Sequence, residues 1–244
     1  MEDPLRKTIS DRVVGGLTPP PLTPPPPTPP PLTAPPLTAP VGTEVIETLG
    51  WHPATGVRFA DLHLARMGRT AVALGFRFDI DIAQSLLRGL ASLQPLRCRL
   101  ALGAGAMTLT TAPVPPTAPH WRVGIAPQRL LSTDPWLAHK TTQRALYDTA
   151  RANLPAGQDE WLFLNERGEV CEGAISTVFA TLADGTRATP PLTSGLLPGI
   201  LRQTLLDAGY VEQVVTLDDL RHATEIHMGN ALRGLIPCDI IGIA

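Results

Sequence analysis

The sequence predicts a two-lobed α+β fold that begins near residue 41 and follows a proline-rich N-terminal segment. Of the 244 residues, 43% are apolar, which is enough to fill a core of this size. Segments with strand and helix periodicity also alternate in different orders before and after about residue 125. We therefore predict three regions: a disordered N-terminus over 1–40, a small α/β lobe over 41–125 and a larger α/β lobe over 126–244. A cleft between two lobes is a common place for a ligand.

The N-terminal segment contains an uncharged repeat of Leu, Thr, Ala and Pro over 17–40. Proline has no amide hydrogen, so such a segment forms neither helix nor sheet and favours an extended polyproline II arm. We interpret the arm as an expanded repeat that acts as a semi-rigid spacer. A role as a ligand for an aromatic-lined groove stays open, and its partner is unknown.

The small lobe is predicted from apolar periodicity and from the residues that end each element. Asp61 is placed to cap the first helix, which we expect to run to about Gly75. The predicted elements are a strand over 43–51, a turn over 52–56, this first helix, a second helix over 81–93, and strands over 96–103, 107–114 and 121–127.

The larger lobe has a different order of elements. Pro198 suits the first turn of a helix, because its missing amide would be unpaired there in any case. The predicted elements are a helix after Lys140, strands over 161–165 and 176–182, a helix from Pro198, a strand over 211–217, a short helix over 217–223 and two C-terminal strands.

Composition narrows the class of partner. A net charge of -2 provides no basic surface that could neutralise a run of phosphates, so a small-molecule substrate is expected rather than a nucleic acid. The three cysteines are far apart and form no CxxC pair, which favours buried free thiols over disulfides or a metal site. The N-terminus has no apolar stretch of signal length and the chain has no apolar run of about 18 residues. We therefore expect a cytoplasmic protein without a membrane partner.

Lysine is scarce, and its scarcity makes Lys140 a candidate for chemistry. The chain has two lysines, Lys7 and Lys140, and its other basic side chains apart from histidine are arginine. A lysine can lose its proton near neutral pH and attack a carbonyl to form an imine, whereas arginine cannot. A lysine retained by chance on a surface is the alternative, and the neighbouring segments decide between the two.

Two further segments supply the other groups that a pyridoxal phosphate cofactor needs, namely a carboxylate for its ring nitrogen and donors for its phosphate. Glu172 precedes an apolar strand and is followed by Gly173, where the main chain could approach a flat ring. Glu166 and Glu169 are competitors for this role. The free amides of Ile200 and Leu201, at the start of the helix after Gly199, are suited to bind an anion.

In their order and spacing, these segments resemble the class IV aminotransferase family, the fold type IV pyridoxal phosphate enzymes. The resemblance runs from about Glu44 to the C-terminus and implies a two-lobed fold like that of D-amino acid aminotransferase, pyridoxal 5'-phosphate as cofactor and a homodimer. The motifs that carry it are HxxR at 63–66, the lysine at 140, EGxxSTxF at 172–179 and LPGI at 197–200. It implies that Arg66 binds the cofactor phosphate, that Lys140 is catalytic and holds the cofactor, and that Glu172, Ser176 and Thr177 also contact the cofactor.

Within the family, the residues Asn230 and Ala231 begin a segment, NALRGLIP, that is similar to the ending of aminodeoxychorismate lyases. The resemblance adds both residues to the cofactor site and implies a lyase that releases 4-aminobenzoate and pyruvate for folate synthesis. Transamination of a branched-chain or D-amino acid stays open as the alternative. Branched-chain enzymes carry a tyrosine where this chain has Ala145, and we expect the nearby Tyr147 to face elsewhere.

The chain also departs from the family pattern. The proline repeat replaces the usual opening strand and glycine-bearing loop, which puts part of the substrate pocket in doubt. Leu102 stands where the lyases tend to have an arginine. Arg97 and Arg99 lie on the opposite face of that strand by alternation, so we interpret them as surface charges rather than as substrate ligands.

Overall fold

The computed structural model describes residues 37–103 and 105–242. The predicted disordered N-terminus and its proline repeat lie outside the described residues, apart from 37–40. Among the described residues, no helix has both the length and the apolar character needed to cross a bilayer. The fold combines two sheets with short helices, as the predicted α+β class requires.

In residues 37–103 and 105–242, the first sheet is antiparallel and has four strands in the order β2-β1-β3-β4. Its elements are β1 (Val45–His52), β2 (Gly56–Val57), α1 (Ala60–Leu74), α2 (Ile80–Arg88), β3 (Leu96–Leu102) and β4 (Met107–Pro113). Leu49 of β1, Leu64 and Met67 of α1 and Leu100 of β3 are buried together in its core. One face of the sheet is therefore covered by α1, which leaves the other face available to line a cavity.

Two helix boundaries in this part of the chain differ from the prediction. Asp61 is wrong as the cap of α1: Phe59 holds the N-cap position with φ 56°, and Asp61 lies inside the first turn. The second helix ends at Arg88 rather than near residue 93, because Gly89 follows and is a poor helix former. Its start is capped by Asp79, whose carboxylate accepts hydrogen bonds from the amides of Asp81 and Ile82.

Within the described part of the chain, the second sheet has eight strands in the order β10-β9-β8-β11-β12-β5-β6-β7, and β7 also pairs with β8. That last pairing closes six of the strands into a ring around a core that includes Leu162, Val178 and Met228. The elements are β5 (Trp121–Leu130), α3 (Ala145–Ala152), β6 (Glu160–Asn165), β7 (Val170–Gly173), β8 (Thr177–Thr181), β9 (Arg187–Thr189), α4 (Ile200–Asp207), β10 (Val211–Glu212), α5 (Leu217–His222), β11 (Glu225–Asn230) and β12 (Gly234–Ile241).

Differences from the prediction also occur in this sheet. The strand predicted over 211–217 is wrong beyond Val211–Glu212, because its parallel partner β9 has three residues and offers no further pairing. Strands β7 and β9 are too short to show a period of their own. The helix expected from Pro198 begins at Ile200, because Gly199 is extended, with ψ 144°, and serves as the N-cap.

The cysteines are buried free thiols, as predicted. Strand β5 runs through residue 125, and the lobe boundary near that position stays a prediction.

The segment that carries Lys140 is held on the edge of β1. Thr141 forms a bridge with Val45, and the amide of Ile46 donates to the carbonyl of Lys140 at 2.9 Å. The amide of Thr142 donates to the carbonyl of Glu44, also at 2.9 Å. The backbone on both sides of Lys140 is thus fixed by the first sheet, while its side chain is free to reach into the space next to it.

Candidate active site

The nine residues predicted from the sequence line one cavity of about 760 Å³. They come from α1, from the segment before α3, from β7, from β8 and the turn that precedes it, from the start of α4, and from the end of β11 with the loop that follows it. These residues are Arg66, Lys140, Glu172, Ser176, Thr177, Ile200, Leu201, Asn230 and Ala231. The fold therefore brings residues that are far apart in the sequence together around one space.

Lys140 lies in this cavity with its side chain half-buried. Its amine has no hydrogen bond to any of the described residues. Burial lowers its pKa to about 8, and the Arg66 guanidinium acts in the same direction. The carboxylates of Glu47 and Glu172 oppose this shift and keep it moderate. An amine with this pKa is partly unprotonated near neutral pH, which is the state that attacks a carbonyl.

Glu172 is a buried carboxylate at the end of β7. It accepts hydrogen bonds from the hydroxyl of Tyr147 at 2.6 Å and from the amide of Leu197 at 3.2 Å. Burial raises its pKa to about 7, although both hydrogen bonds and the charge of Lys140 act against that rise. The two donors hold the carboxylate in one orientation within the cavity, where it can share a proton with a basic group.

The expectation that Tyr147 faces away from the site is wrong. Helix α3 begins at Ala145, so Tyr147 lies in its first turn, and its ring packs edge-on against Phe163 at 5.1 Å between centroids. That packing directs the hydroxyl to Glu172. The Arg144 guanidinium lies 5.6 Å from the Tyr147 ring centroid and donates to the carbonyl of Ala174 at 2.8 Å.

The start of α4 forms a turn with unpaired hydrogen-bond donors, made of Gly199 and the amides of Ile200 and Leu201 beside Thr177, which we call the cradle. The amides of Ile200 and Leu201 have no hydrogen-bond partner among the described residues, and no side chain caps the helix. A Cβ added at Gly199 would lie 2.8 Å from Oγ1 of Thr177, so glycine is needed for this close approach. Amides, hydroxyl and the positive end of the helix dipole together suit an anion.

Arg66 connects this cradle to a buried acid that sequence analysis missed. Its guanidinium donates to Pro198 O at 3.0 Å and to both carboxylate oxygens of Glu47, from Nε at 2.8 Å and from Nη2 at 2.6 Å. Nδ1 of His63 lies 2.7 Å from the same carboxylate, and Glu47 has no exposed surface. The available signal was its alternation with Val45 and Leu49, which places an acid on the buried face of β1.

Two of the predicted residues use their side chains to hold the protein's own loops. Asn230 donates to the carbonyl of Ile175 at 3.0 Å and accepts from the amides of Leu232 at 3.1 Å and Arg233 at 3.0 Å. The hydroxyl of Ser176 donates to Glu160 at 2.9 Å. Both residues therefore shape the cavity wall.

The cavity is rich in arginine. Arg97 and Arg99, which alternation suggested were surface charges, both line it, because the face of β3 opposite the core forms part of the wall. Among the residues that the structure describes, seven arginines and Lys140 contribute to the lining, against three carboxylates. The space therefore suits a molecule with more than one negative charge.

Comparison with known proteins identifies the family. Residues 44–241 match the model of the family described as amino-transferase class IV. A Schizosaccharomyces pombe protein that carries the name of an aminodeoxychorismate lyase is 28% identical over 184 residues, which are 70% of this chain and 79% of that protein.

Solved structures give the same family and both kinds of name. A Mesorhizobium loti protein that carries the name of an amino-acid aminotransferase has a TM-score of 0.77 and 43% identity, over 82% of this chain and 100% of that one. The 4-amino-4-deoxychorismate lyase from Pseudomonas aeruginosa has a TM-score of 0.70 and 25% identity, over 81% of this chain and 82% of that one. The fold type IV architecture expected from the sequence is confirmed.

Proposed function

Because the chain belongs to the class IV aminotransferase family, we propose that it is a pyridoxal phosphate-dependent 4-amino-4-deoxychorismate lyase. The products are 4-aminobenzoate, a precursor for folate, and pyruvate. The observation that carries the proposal is the excess of arginine around Lys140, since this substrate has two carboxylates and one amine. The relatives named as lyases and the NALRG segment at 230–234 support the same choice.

The cavity's own groups fit the cofactor. Lys140 has an amine without a partner among the described residues, Glu172 is a buried acid oriented by two donors, and the start of α4 has free amides beside Gly199. When bound, pyridoxal phosphate supplies an aldehyde that reacts with an amine and a protonated ring that draws electrons from the neighbouring carbon. We assign Arg66, Thr177 and the amides of Ile200 and Leu201 to its phosphate.

In this proposal each residue has a limited task. Lys140 would hold the cofactor through its amine, and its Nζ would accept the proton from the substrate carbon that bears the amine. A pKa of about 8 suits both tasks, because the amine gains and loses a proton near neutral pH. Glu172 would hold a proton at the ring nitrogen, and Tyr147 fixes the direction of its carboxylate. The C–O bond to the enolpyruvyl group would then break and leave an aromatic ring, and the released enolpyruvate would take up one proton to become pyruvate.

The direct test is an end-point assay with purified protein, pyridoxal phosphate and aminodeoxychorismate. We expect 4-aminobenzoate and pyruvate to form in equal amounts and at a rate proportional to enzyme. A preparation that binds the cofactor yet forms no 4-aminobenzoate would contradict the lyase proposal.

A second candidate is transamination of an amino acid, either branched-chain or of D configuration. The observation that favours it is the 43% identity to the Mesorhizobium loti protein. The two activities are separable by spectroscopy: without an acceptor, an amino acid converts the bound cofactor to its amine form in a transaminase. A panel of L- and D-amino acids that leaves the spectrum unchanged would exclude this candidate.

A homodimer in the cytoplasm completes the proposal. Its support is the family resemblance, and light scattering on the purified chain tests the assembly directly. A mass of one chain across the working concentration range would contradict the dimer.

We expect Gly199→Ala to weaken cofactor binding by about tenfold or more, since the new methyl group would crowd Thr177 and keep the phosphate away from the free amides. The measurement is a titration of the apoprotein with pyridoxal phosphate, followed by absorbance. Gly103→Ala is the matched control, because a Cβ there meets its nearest neighbour, Ala106 O, at 3.9 Å. Equal affinities of Gly199→Ala and Gly103→Ala for pyridoxal phosphate would contradict the proposal that the cradle binds the cofactor phosphate.

A further inference from the structure

Three arginines from separate elements line the cavity, and the charges of two of them act on the third. Arg97 lies on β3, Arg151 is in the last turn of α3, and Arg233 is in the loop between β11 and β12. The guanidinium groups of Arg97 and Arg233 have no ion pair or hydrogen bond to any residue that the structure describes. Burial lowers the pKa of Arg233, the charges of Arg151 and Arg97 act in the same direction, and the carboxylate of Glu160 opposes them. Like charges thus face one another without a full set of partners.

The nearest acid does not neutralise these three arginines. Oε1 of Glu160 lies 3.5 Å from Arg151 and already accepts from the amide of Trp161 at 3.0 Å. Its Oε2 accepts from the amide of Ile175 at 3.2 Å and from Ser176. Burial raises the pKa of Glu160, whereas these hydrogen bonds and the charge of Arg151 act against that rise. Even a fully ionised Glu160 provides one negative charge for three guanidinium groups.

A second, smaller cavity of about 160 Å³ shares part of this lining. Arg151, Arg233 and Ile175 line both spaces, so the two guanidinium groups stand where the cavities meet. Asp159 lines the smaller cavity but not the main one, and its carboxylate accepts from the amide of Arg122 at 2.8 Å. The two arginines therefore border the main cavity, whereas this acid does not.

The loop of Arg233 is held in place by the protein itself. Asn230 binds the amides of Leu232 and Arg233 through Oδ1 and the carbonyl of Ile175 through Nδ2. The backbone that carries the guanidinium is therefore fixed before a ligand arrives, which lowers the entropy lost on binding. A planar guanidinium on a fixed backbone matches a carboxylate through two parallel hydrogen bonds.

We propose that Arg233, together with Arg151 and Arg97, binds a second carboxylate of the substrate and makes the site selective for dicarboxylates over monocarboxylates. The inference builds on the proposed function in one respect, namely that the substrate occupies the cavity of Lys140. It identifies Arg233 as a specificity-determining residue, and the selectivity it predicts can be measured without turnover.

The test compares isophthalate with benzoate, two aromatic probes that differ by one carboxylate and cannot react. Binding to the cofactor-loaded enzyme is measured by calorimetry. We expect the wild type to bind isophthalate about tenfold more tightly or better, and Arg233→Leu to reduce that ratio to about threefold or less. Arg233→Lys keeps the charge but not the paired donors, so we expect an intermediate ratio.

Arg88→Leu is the control, because it removes the same charge from a residue of α2 that lines neither cavity. We expect it to keep the wild-type ratio. Equal binding of both probes by the wild type, or an unchanged ratio in a folded Arg233→Leu, would overturn the inference.

These outcomes are distinct from failure of the lyase proposal. Absence of 4-aminobenzoate together with a high probe ratio would contradict the lyase and leave the dicarboxylate site standing. Lyase activity together with equal probe binding would do the reverse.

Discussion

Replacing Lys140 with arginine is expected to reduce turnover by at least about a thousandfold while the protein stays folded. Arginine keeps the positive charge but cannot lose its proton near neutral pH, so it neither holds an aldehyde nor accepts a proton from substrate. Lys140 has the opposite properties, since its pKa is lowered to about 8 and its amine has no hydrogen-bond partner in the described part of the chain. The measurements are kcat and the visible absorbance of the cofactor-loaded protein.

Lys7→Arg is the matched control, because it makes the same exchange at the other lysine of the chain. We expect it to keep wild-type activity and absorbance, and both variants to keep the wild-type circular dichroism spectrum. Retained absorbance and turnover in Lys140→Arg would contradict the assignment of the lysine. Loss of both in Lys7→Arg would show that the assay responds to something other than the amine in the cavity.

The parts of the site that sequence analysis predicted are those in which a short segment fixes its own geometry. The LPGI turn places Gly199 ahead of a helix whose first amides are free, and this can be inferred from four residues. Lys140 stood out because arginine had replaced lysine almost everywhere else. In each case the evidence lay in residue type and near neighbours, and the fold then brought the segments to one cavity.

The parts that sequence analysis missed depend on pairings between distant elements. Tyr147 reaches Glu172 because Phe163 of β6 supports its ring, and no local pattern in α3 shows that contact. Arg97 lines the cavity because the free face of β3 forms a wall, whereas alternation by itself shows which residues share a face but not what lies opposite. The strand expected over 211–217 failed for the same reason, since its length was set by a short partner.

Among the residues that sequence analysis missed, Glu47 is expected to matter most for stability. We expect Glu47→Leu to lower the free energy of unfolding by about 3–5 kcal/mol. Leucine fills a similar volume, so the loss comes from leaving Arg66 buried without its carboxylate rather than from a cavity. The guanidinium would retain its hydrogen bond to Pro198 O, which carries no charge. Urea denaturation of the apoprotein at pH 7 measures the effect.

Glu44→Leu is the control, because Glu44 also pairs with an arginine but the two side chains are 40% and 41% exposed. Exposed ion pairs contribute little to stability, so we expect Glu44→Leu to change the free energy of unfolding by no more than about 1 kcal/mol. An equal decrease in the free energy of unfolding in Glu44→Leu and Glu47→Leu would contradict the claim that burial makes the Glu47 ion pair important.

The contribution of the ion pair between Glu47 and Arg66 to stability depends on pH. Burial by itself raises the pKa of Glu47, but Arg66 and His63 more than offset that effect and hold it at about 2, below its ordinary 4.5. A carboxyl group whose pKa is lower in the folded than in the unfolded protein stabilises the fold fully when the pH is above its unfolded-state pKa. This stabilisation is lost as the pH falls through its folded-state pKa. The stability difference between wild type and Glu47→Leu should therefore shrink as the pH is lowered from 4.5 towards 2.

A double variant separates the structural task of Arg66 from its proposed task at the phosphate. Adding Arg66→Leu to Glu47→Leu removes the uncompensated charge, and we expect about half or more of the lost stability to return, since apolar side chains can replace a buried ion pair. The same double variant has no guanidinium beside Pro198, so its affinity for pyridoxal phosphate should stay about tenfold or more below that of the wild type. If affinity returned together with stability, Arg66 would serve the fold alone, and the free amides of Ile200 and Leu201 would carry the phosphate by themselves.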